Sequence, residues 1–180
     1  MVKKNKAVFL DRDGVLVKGS ILKRKLYAAR SFENFYLYPK TRKNLLILKK
    51  LGYKLIIITN QPDVGKNLIS KKTINKMNNY LYEELPIDKI YVCVHSQNLN
   101  CKCRKPKTYF FKTAIKNYKI DPKISFMVGD RKTDILAGNN IGCKTIFINR
   151  SYLEDKPSSS DRIVRSFSEA VNFIYKFKYF

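Results

Sequence analysis

The stretch KLIIITNQ, residues 54–61, decides the fold. Leu55 to Ile58 are four apolar residues with no polar alternation between them. A strand with one face in water alternates; a strand without alternation is buried on both faces, as in the interior of a parallel sheet. The run then ends abruptly in Thr59-Asn60-Gln61.

Working outward, the same grammar repeats. Before this strand, KTRKNLLILKKL (40–51) has a helical pattern stopped by Gly52. Earlier still, AVFL (7–10) is a strand candidate. After it, residues 70–85 predict a helix with Ser70 as N-cap. KIYVCV (89–94) predicts a third strand, and 108–118 a helix entered through Pro106. ISFMVG (124–129) predicts a fourth strand, 133–141 a short helix ending at Gly142, and KTIFI (144–148) a fifth strand. A final amphipathic helix is expected over 167–176, and RSYLEDKPSSSDRIVRS (150–166) reads as a surface connection.

Strand and helix in alternation imply an α/β doubly wound, mainly parallel sheet of Rossmann type. With 180 residues and no visible linker or repeat, one domain over 1–180 is expected. Ligands of such folds bind beyond the carboxyl ends of the strands. The strand ends here are Asp11-Arg12-Asp13, Thr59-Asn60-Gln61, the Cys/His stretch running into Arg104-Lys105, and Gly129-Asp130-Arg131.

Composition narrows the function classes. A content of 44% hydrophobic residues excludes disorder as a class. The net charge of +23 points to phosphorylated or polyanionic partners. Its even spread, with abundant Lys, Asn, Ile and Tyr, also fits a simple compositional bias. Only AVFL leads into Asp11, too short for a secretory h-region, and no run approaches a transmembrane length. A cytoplasmic, monomeric protein is expected.

Two acids one residue apart, Asp11 and Asp13, followed by Gly14, suit a nucleophile and a proton carrier, or a solvated loop. Asp11 and Asp130 together suit Mg²⁺, a hard ion that takes oxygen ligands. Asp134 either caps the following helix or holds a neighbouring group. A Thr59 hydroxyl could bind phosphoryl oxygens or belong to a turn.

The order Asp-x-Asp-Gly, Thr-Asn, a basic residue before a helix, and Gly-Asp-x-x-x-Asp resembles the haloacid dehalogenase superfamily of phosphohydrolases, over about residues 7 to 148. FLDRDGVL, ITNQ, Cys-x-His, Cys-x-Cys-Arg-Lys-Pro and VGDRKTDILAG resemble the branch containing heptose 1,7-bisphosphate phosphatases and the histidinol-phosphate phosphatase domain. The resemblance implies a minimal cap and a zinc loop beside the active site. It implies that Asp11 attacks phosphorus to form an aspartyl phosphate and Asp13 acts as acid and base. Mg²⁺ would sit on Asp11, the Asp13 carbonyl and Asp130. Thr59 and Lys105 would stabilise the phosphoryl group, while Asn60, Gln61, Arg104 and Arg131 would line the substrate pocket.

Cys93-x-His95, five residues, then Cys101-x-Cys103 match a closed tetrahedral zinc site, structural because no ligand position is left for water. A Cys-x-x-Cys redox pair is absent. Cys143 is expected to be buried packing. Residues 18–38 are expected to lie over the pocket. There Lys23, Arg24, Lys25 and Arg30 would bind a second phosphate or form a solvated face. The leading substrate expectation is a small phosphorylated metabolite, D-glycero-D-manno-heptose 1,7-bisphosphate. Histidinol phosphate, a nucleic-acid 3′-phosphate and a non-catalytic binding role are the alternatives.

Overall fold

A computed structural model of the chain describes residues 4–177. In chain order its elements open with strand β1 (Lys6–Leu10), the short strands β2 (Ser20–Leu22) and β3 (Lys25–Tyr27), and helix α1 (Thr41–Lys50). Strand β4 (Tyr53–Asn60), the one-turn helix α2 (Pro62–Gly65), helix α3 (Lys71–Glu84) and strand β5 (Lys89–Cys93) follow. Helix α4 (Tyr109–Tyr118), strand β6 (Phe126–Gly129), helix α5 (Lys132–Asn140), strands β7 (Lys144–Ile148) and β8 (Arg162–Val164), and helix α6 (Phe167–Phe177) complete the set.

Six strands form one sheet in the order β5-β4-β1-β6-β7-β8, every neighbouring pair parallel. The chain starts in the middle and winds outward both ways, so the switch point lies at the carboxyl end of β1. Period-two geometry divides the core between the two faces. Val8, Leu10, Leu55 and Ile57 pack on one face with Leu48, Met77 and Ile174, from α1, α3 and α6. Ala7, Phe9, Ile56 and Ile58 pack on the other with Phe111 and Ala114 of α4 and Ala137 of α5. Both layers demand apolar residues from the inner strands, which explains the unbroken run at 55–58. Ser70 caps α3 as expected, its Oγ accepting from Thr73 N at 3.0 Å.

Two expectations are corrected, and a third stretch gains detail. The fourth strand begins at Phe126 rather than Ile124, because Pro122–Ile124 forms a 3₁₀ turn that leaves Ile124 exposed. Residues 150–166 are more than a surface connection. They contain β8, which adds the sixth strand beside β7 with Val164 buried. Residues 18–38 contain the β2–β3 hairpin, turned at Lys23 and Arg24, both with φ near +50°. That pair of left-handed residues is the geometry a tight two-residue hairpin requires. This hairpin and the 3₁₀ turn Phe32–Asn34 are the only named elements between β1 and α1.

Register sets the site. Leu10 pairs with Ile57 on one side and Val128 on the other, and Asp11 N donates to Val128 O at 3.0 Å. Asp11, Thr59 and Asp130 therefore leave the sheet at nearly one level. Ile57, wholly buried in the central strand pair, tests this core. Ile57→Ala is expected to cost about 2–5 kcal/mol in urea unfolding, at an unchanged slope with denaturant.

Candidate active site

At the switch point one ammonium group meets two carboxylates. Lys105 Nζ lies 2.8 Å from Asp11 Oδ1 and 2.7 Å from Asp134 Oδ1, and donates to Ile58 O at 2.6 Å. Lys105 is 2% exposed. Burial opposes its charge, but the Asp11 and Asp134 carboxylates outweigh that and raise its pKa to about 12. Asp134 is pushed up to about 6, by burial first, despite its lysine partner. Its Oδ2 also accepts from Arg131 N at 3.0 Å, so Asp134 both caps α5 and holds Lys105. The approach needs Gly129, where a Cβ would stand 2.2 Å from Asp134 Cβ.

Asp130 is 3% exposed, and neither carboxylate oxygen has a hydrogen-bond partner among the described residues. Burial, then the charges of Asp11 and Asp134, hold it well above the ordinary carboxylate range. Gly14, at φ +84°, makes room for it; a Cβ there would lie 1.9 Å from Asp130 Oδ2. Asp11, Asp130 and Asp134 present oxygens within 4.8 Å of one another. Three acids against one lysine leave an excess of negative charge. A buried excess with two unpaired oxygens fits a divalent cation, since buried charge otherwise neutralises by taking up protons.

Asp13 faces a different set. Its Oδ2 accepts from Gln61 Nε2 at 2.6 Å and from Arg12 Nε at 3.1 Å. Gln61 Nε2 also donates to Thr59 Oγ1 at 2.9 Å. The Asn60 side chain grips the Lys105 backbone from both ends, accepting from its N at 3.1 Å and donating to its O at 3.3 Å. Arg12, fully buried with its guanidinium 5.2 Å from the Phe35 ring centre, was invisible in the sequence as anything but the spacer between two acids.

The four soft ligands converge. Cys103 Sγ lies 3.2 Å from both Cys93 Sγ and His95 Nδ1, and Cys93 Sγ lies 3.6 Å from Cys101 Sγ. All four ligand atoms fall within 4.8 Å of one another. A tetrahedral ion bonded at about 2.3 Å needs sulfurs roughly 3.7 Å apart, so the set fits one. Burial pushes Cys93 and Cys103 up, the latter to about 12. For Cys101 the N–H groups of Arg104 and Cys103 overcome burial and bring it down to about 6. Cys143 is buried elsewhere, as packing.

Arg104 donates to His95 O, which ties it to the thiol cluster. A cleft of about 860 Å³ opens over the strand ends. Asp11, Asp13, Thr59, Asn60, Gln61, Arg104, Lys105 and Arg131 all line it. Of the four bases singled out in residues 18–38, Lys25 and Arg30 line it while Lys23 and Arg24 do not. Arg30 pairs with Asp63 at 2.7 Å. Arg131 joins three segments, donating to Leu26 O at 3.0 Å and pairing with Glu154 at 3.2 Å.

Comparison with known proteins follows this geometry. Residues 102–170 match a family model described as HAD-hydrolase-like. The chain is 36% identical over 151 residues to the D-glycero-beta-D-manno-heptose-1,7-bisphosphate 7-phosphatase of Helicobacter pylori strain J99, covering 80% of this chain and 83% of that protein. It is 33% identical over 147 residues to the histidine biosynthesis bifunctional protein HisB of Blochmanniella floridana, covering 79% of this chain but 40% of that protein. The fold matches a D,D-heptose 1,7-bisphosphate phosphatase from B. bronchiseptica, solved with magnesium and phosphate. The TM-score is 0.81 at 22% identity, over 96% of this chain and 99% of that one.

Lys105→Met removes the one cation from between Asp11 and Asp134. It is expected to cost about 3–5 kcal/mol in urea unfolding, as for any buried pair broken on one side. Adding Asp134→Asn is expected to restore part of that loss.

Proposed function

The chain belongs to the HAD-like hydrolase family and is a phosphatase, and from that premise we propose that it cleaves a phosphate monoester through an aspartyl phosphate on Asp11. The single observation that carries the reading is Asp130, buried with both oxygens unpaired beside the Asp11–Lys105–Asp134 ion pair. Asp11, the Asp13 carbonyl and Asp130 would hold Mg²⁺, which when bound neutralises charge on the transferring phosphoryl group.

The residues divide the reaction. Asp11 Oδ1 is held by Lys105, and its carboxylate attacks phosphorus in line with the leaving oxygen. The P–O bond to the alcohol breaks as the Asp13 carboxyl gives that oxygen a proton. Asp13, now a carboxylate, takes a proton from water as the water attacks the aspartyl phosphate, and Asp11 and inorganic phosphate are released. Gln61 and Arg12 hold Asp13 between these two tasks. Lys105 Nζ already donates to Asp11 and to Ile58 O and is ion-paired with Asp134. Its action on the phosphoryl oxygens is therefore mainly through charge, and the Thr59 hydroxyl is the nearer candidate for a direct bond.

For the substrate we favour D-glycero-D-manno-heptose 1,7-bisphosphate, with the 7-phosphate removed. Outside the reacting groups the cleft is lined by six bases (Lys25, Arg30, Lys66, Arg104, Arg131, Lys132) against three acids (Asp63, Glu154, Asp155). That surplus suits a second phosphate and opposes the amine and imidazole of histidinol phosphate. The relatives named for the heptose bisphosphate support the same choice. The histidinol-phosphate reading keeps the five-residue gap between His95 and Cys101 and the match to HisB in its favour. At the loop we place zinc, a structural ion that needs thiolate ligands and hence a reducing compartment such as the cytoplasm. We propose one domain over the whole chain.

Phosphate release with Mg²⁺ tests the assignment, run on both heptose bisphosphate anomers, histidinol phosphate, fructose 1,6-bisphosphate and a 3′-phosphorylated oligonucleotide. A heptose bisphosphate anomer is expected to lead in kcat/KM by about 100-fold. Asp11→Asn is expected to fall to background. Histidinol phosphate as the best substrate would overturn the choice of sugar. Elemental analysis of protein purified without chelator is expected to find zinc, and Cys103→Ser to lose it together with thermal stability.

A further inference from the structure

Beside Asp130 lies a second buried polar group without a partner. Tyr152 is 9% exposed, and its hydroxyl has no hydrogen-bond partner among the described residues. A buried phenol normally finds one.

Its placement is built rather than incidental. Gly129 pairs with Phe147, so the chain leaving β7 runs alongside the chain leaving β6 at Asp130. Arg150 Nε donates to Gly14 O at 2.9 Å, and Gly14 is the residue packed against Asp130. Ser151 then adopts φ +59°, a left-handed conformation that a serine seldom takes, and its N–H is held by Asn149 Oδ1 at 3.0 Å. The turn leaves Ser151 and Leu153 in solvent and sends Tyr152 inward. Leu153 N donates to Arg24 O at 2.9 Å, pinning the far side to the hairpin. Burial, and next the Asp130 charge, raise the Tyr152 phenol above its ordinary range. The Tyr152 hydroxyl and the Asp130 carboxylate thus face one another at the margin of hydrogen-bond reach, close enough to interact but outside the geometry of a formed hydrogen bond.

We infer that Tyr152 is a positioning residue of the cation site, an outer-shell donor whose hydroxyl hydrogen bonds an oxygen of the coordination shell at Asp130. The inference rests on the divalent-cation reading proposed above. Mg²⁺ keeps several waters when protein-bound, and groups that hydrogen bond such a shell tune affinity by 10–100-fold. The second orphan then has its partner, and the strained turn at Ser151 has a purpose.

Tyr152→Phe removes one oxygen and leaves the ring in place. Mn²⁺ binding to the zinc-loaded protein, followed by the electron paramagnetic resonance of free Mn²⁺, is expected to weaken by about tenfold. Melting without added divalent ion is expected to be unchanged or raised, because the hydroxyl lost is an unsatisfied one. The stabilisation that added Mg²⁺ gives the parent is expected to shrink in the variant. Equal Mn²⁺ affinity in parent and variant would overturn this inference alone. A variant that fails to fold would overturn it too, since the phenol would then have been a structural bond. A parent that binds no Mn²⁺ would overturn both this inference and the reading beneath it.

Discussion

Lys105 is almost wholly buried at the floor of the cleft, and the convergence of four chain segments follows from satisfying its charge. A buried ammonium is tolerated only when paired and fully hydrogen-bonded. Its partners come from the end of β1 (Asp11), the body of β4 (Ile58 O) and the first turn of α5 (Asp134). The lysine itself comes from the loop after β5, clamped at its backbone by Asn60. Moving any one of these ends by an ångström leaves a charge unpaired in the interior, at a cost of several kcal/mol. The same group that orients Asp11, the proposed nucleophile, thus fixes the strand ends at which Asp11 stands.

The ion pair is incomplete in an informative way. One lysine cannot neutralise three neighbouring carboxylates, and at Asp130, whose oxygens have no hydrogen-bond partner among the described residues, burial and the other two acids disfavour the charged form. Natural folds seldom bury such a deficit without an occupant for it. Arg12 and Arg131 lie close in sequence to these acids but are directed elsewhere. Arg12 goes to Asp13 and Phe35, and Arg131 to the hairpin carbonyl and Glu154. Apart from Lys105, held between Asp11 and Asp134, positive charge is arranged around the carboxylate cluster and makes no bond to Asp130. That arrangement suits a site meant to receive a cation and a phosphate together.

What was legible in the sequence was whatever a short-range pattern encodes. The unbroken run Leu55–Ile58 is a direct consequence of two helical layers, and polar residues at strand ends follow from the doubly wound topology. The thiol cluster was legible because metal ligation restricts residue type so severely. The β2–β3 hairpin was not, because its turn uses Lys23-Arg24 where Asn-Gly would have announced it. Strand β8 was hidden by its length, three residues behind a serine-rich stretch. Arg12 and Tyr152 were hidden for a different reason. Their surroundings are assembled from distant segments, and no spacing within their own neighbourhood reflects that.

The thiol cluster and the ion pair share one short piece of chain, and this couples recognition to chemistry. Cys103, Arg104 and Lys105 are consecutive, one in the ligand set, one on the cleft wall, one between Asp11 and Asp134. Residues 96–100 contribute no buried side chain of their own, so hydrophobic burial cannot hold that loop. On the proposed reading zinc replaces the missing core, and its stiffness becomes the stiffness with which Arg104 faces the cleft. A flexible loop would let Arg104 meet anions at many distances from the reacting phosphorus. A loop fixed at four ligands on one side and by a buried, ion-paired lysine on the other offers it a narrow range. Selection between one phosphate ester and another then rests on where the second charge of the substrate falls, with no large cap needed to enclose it.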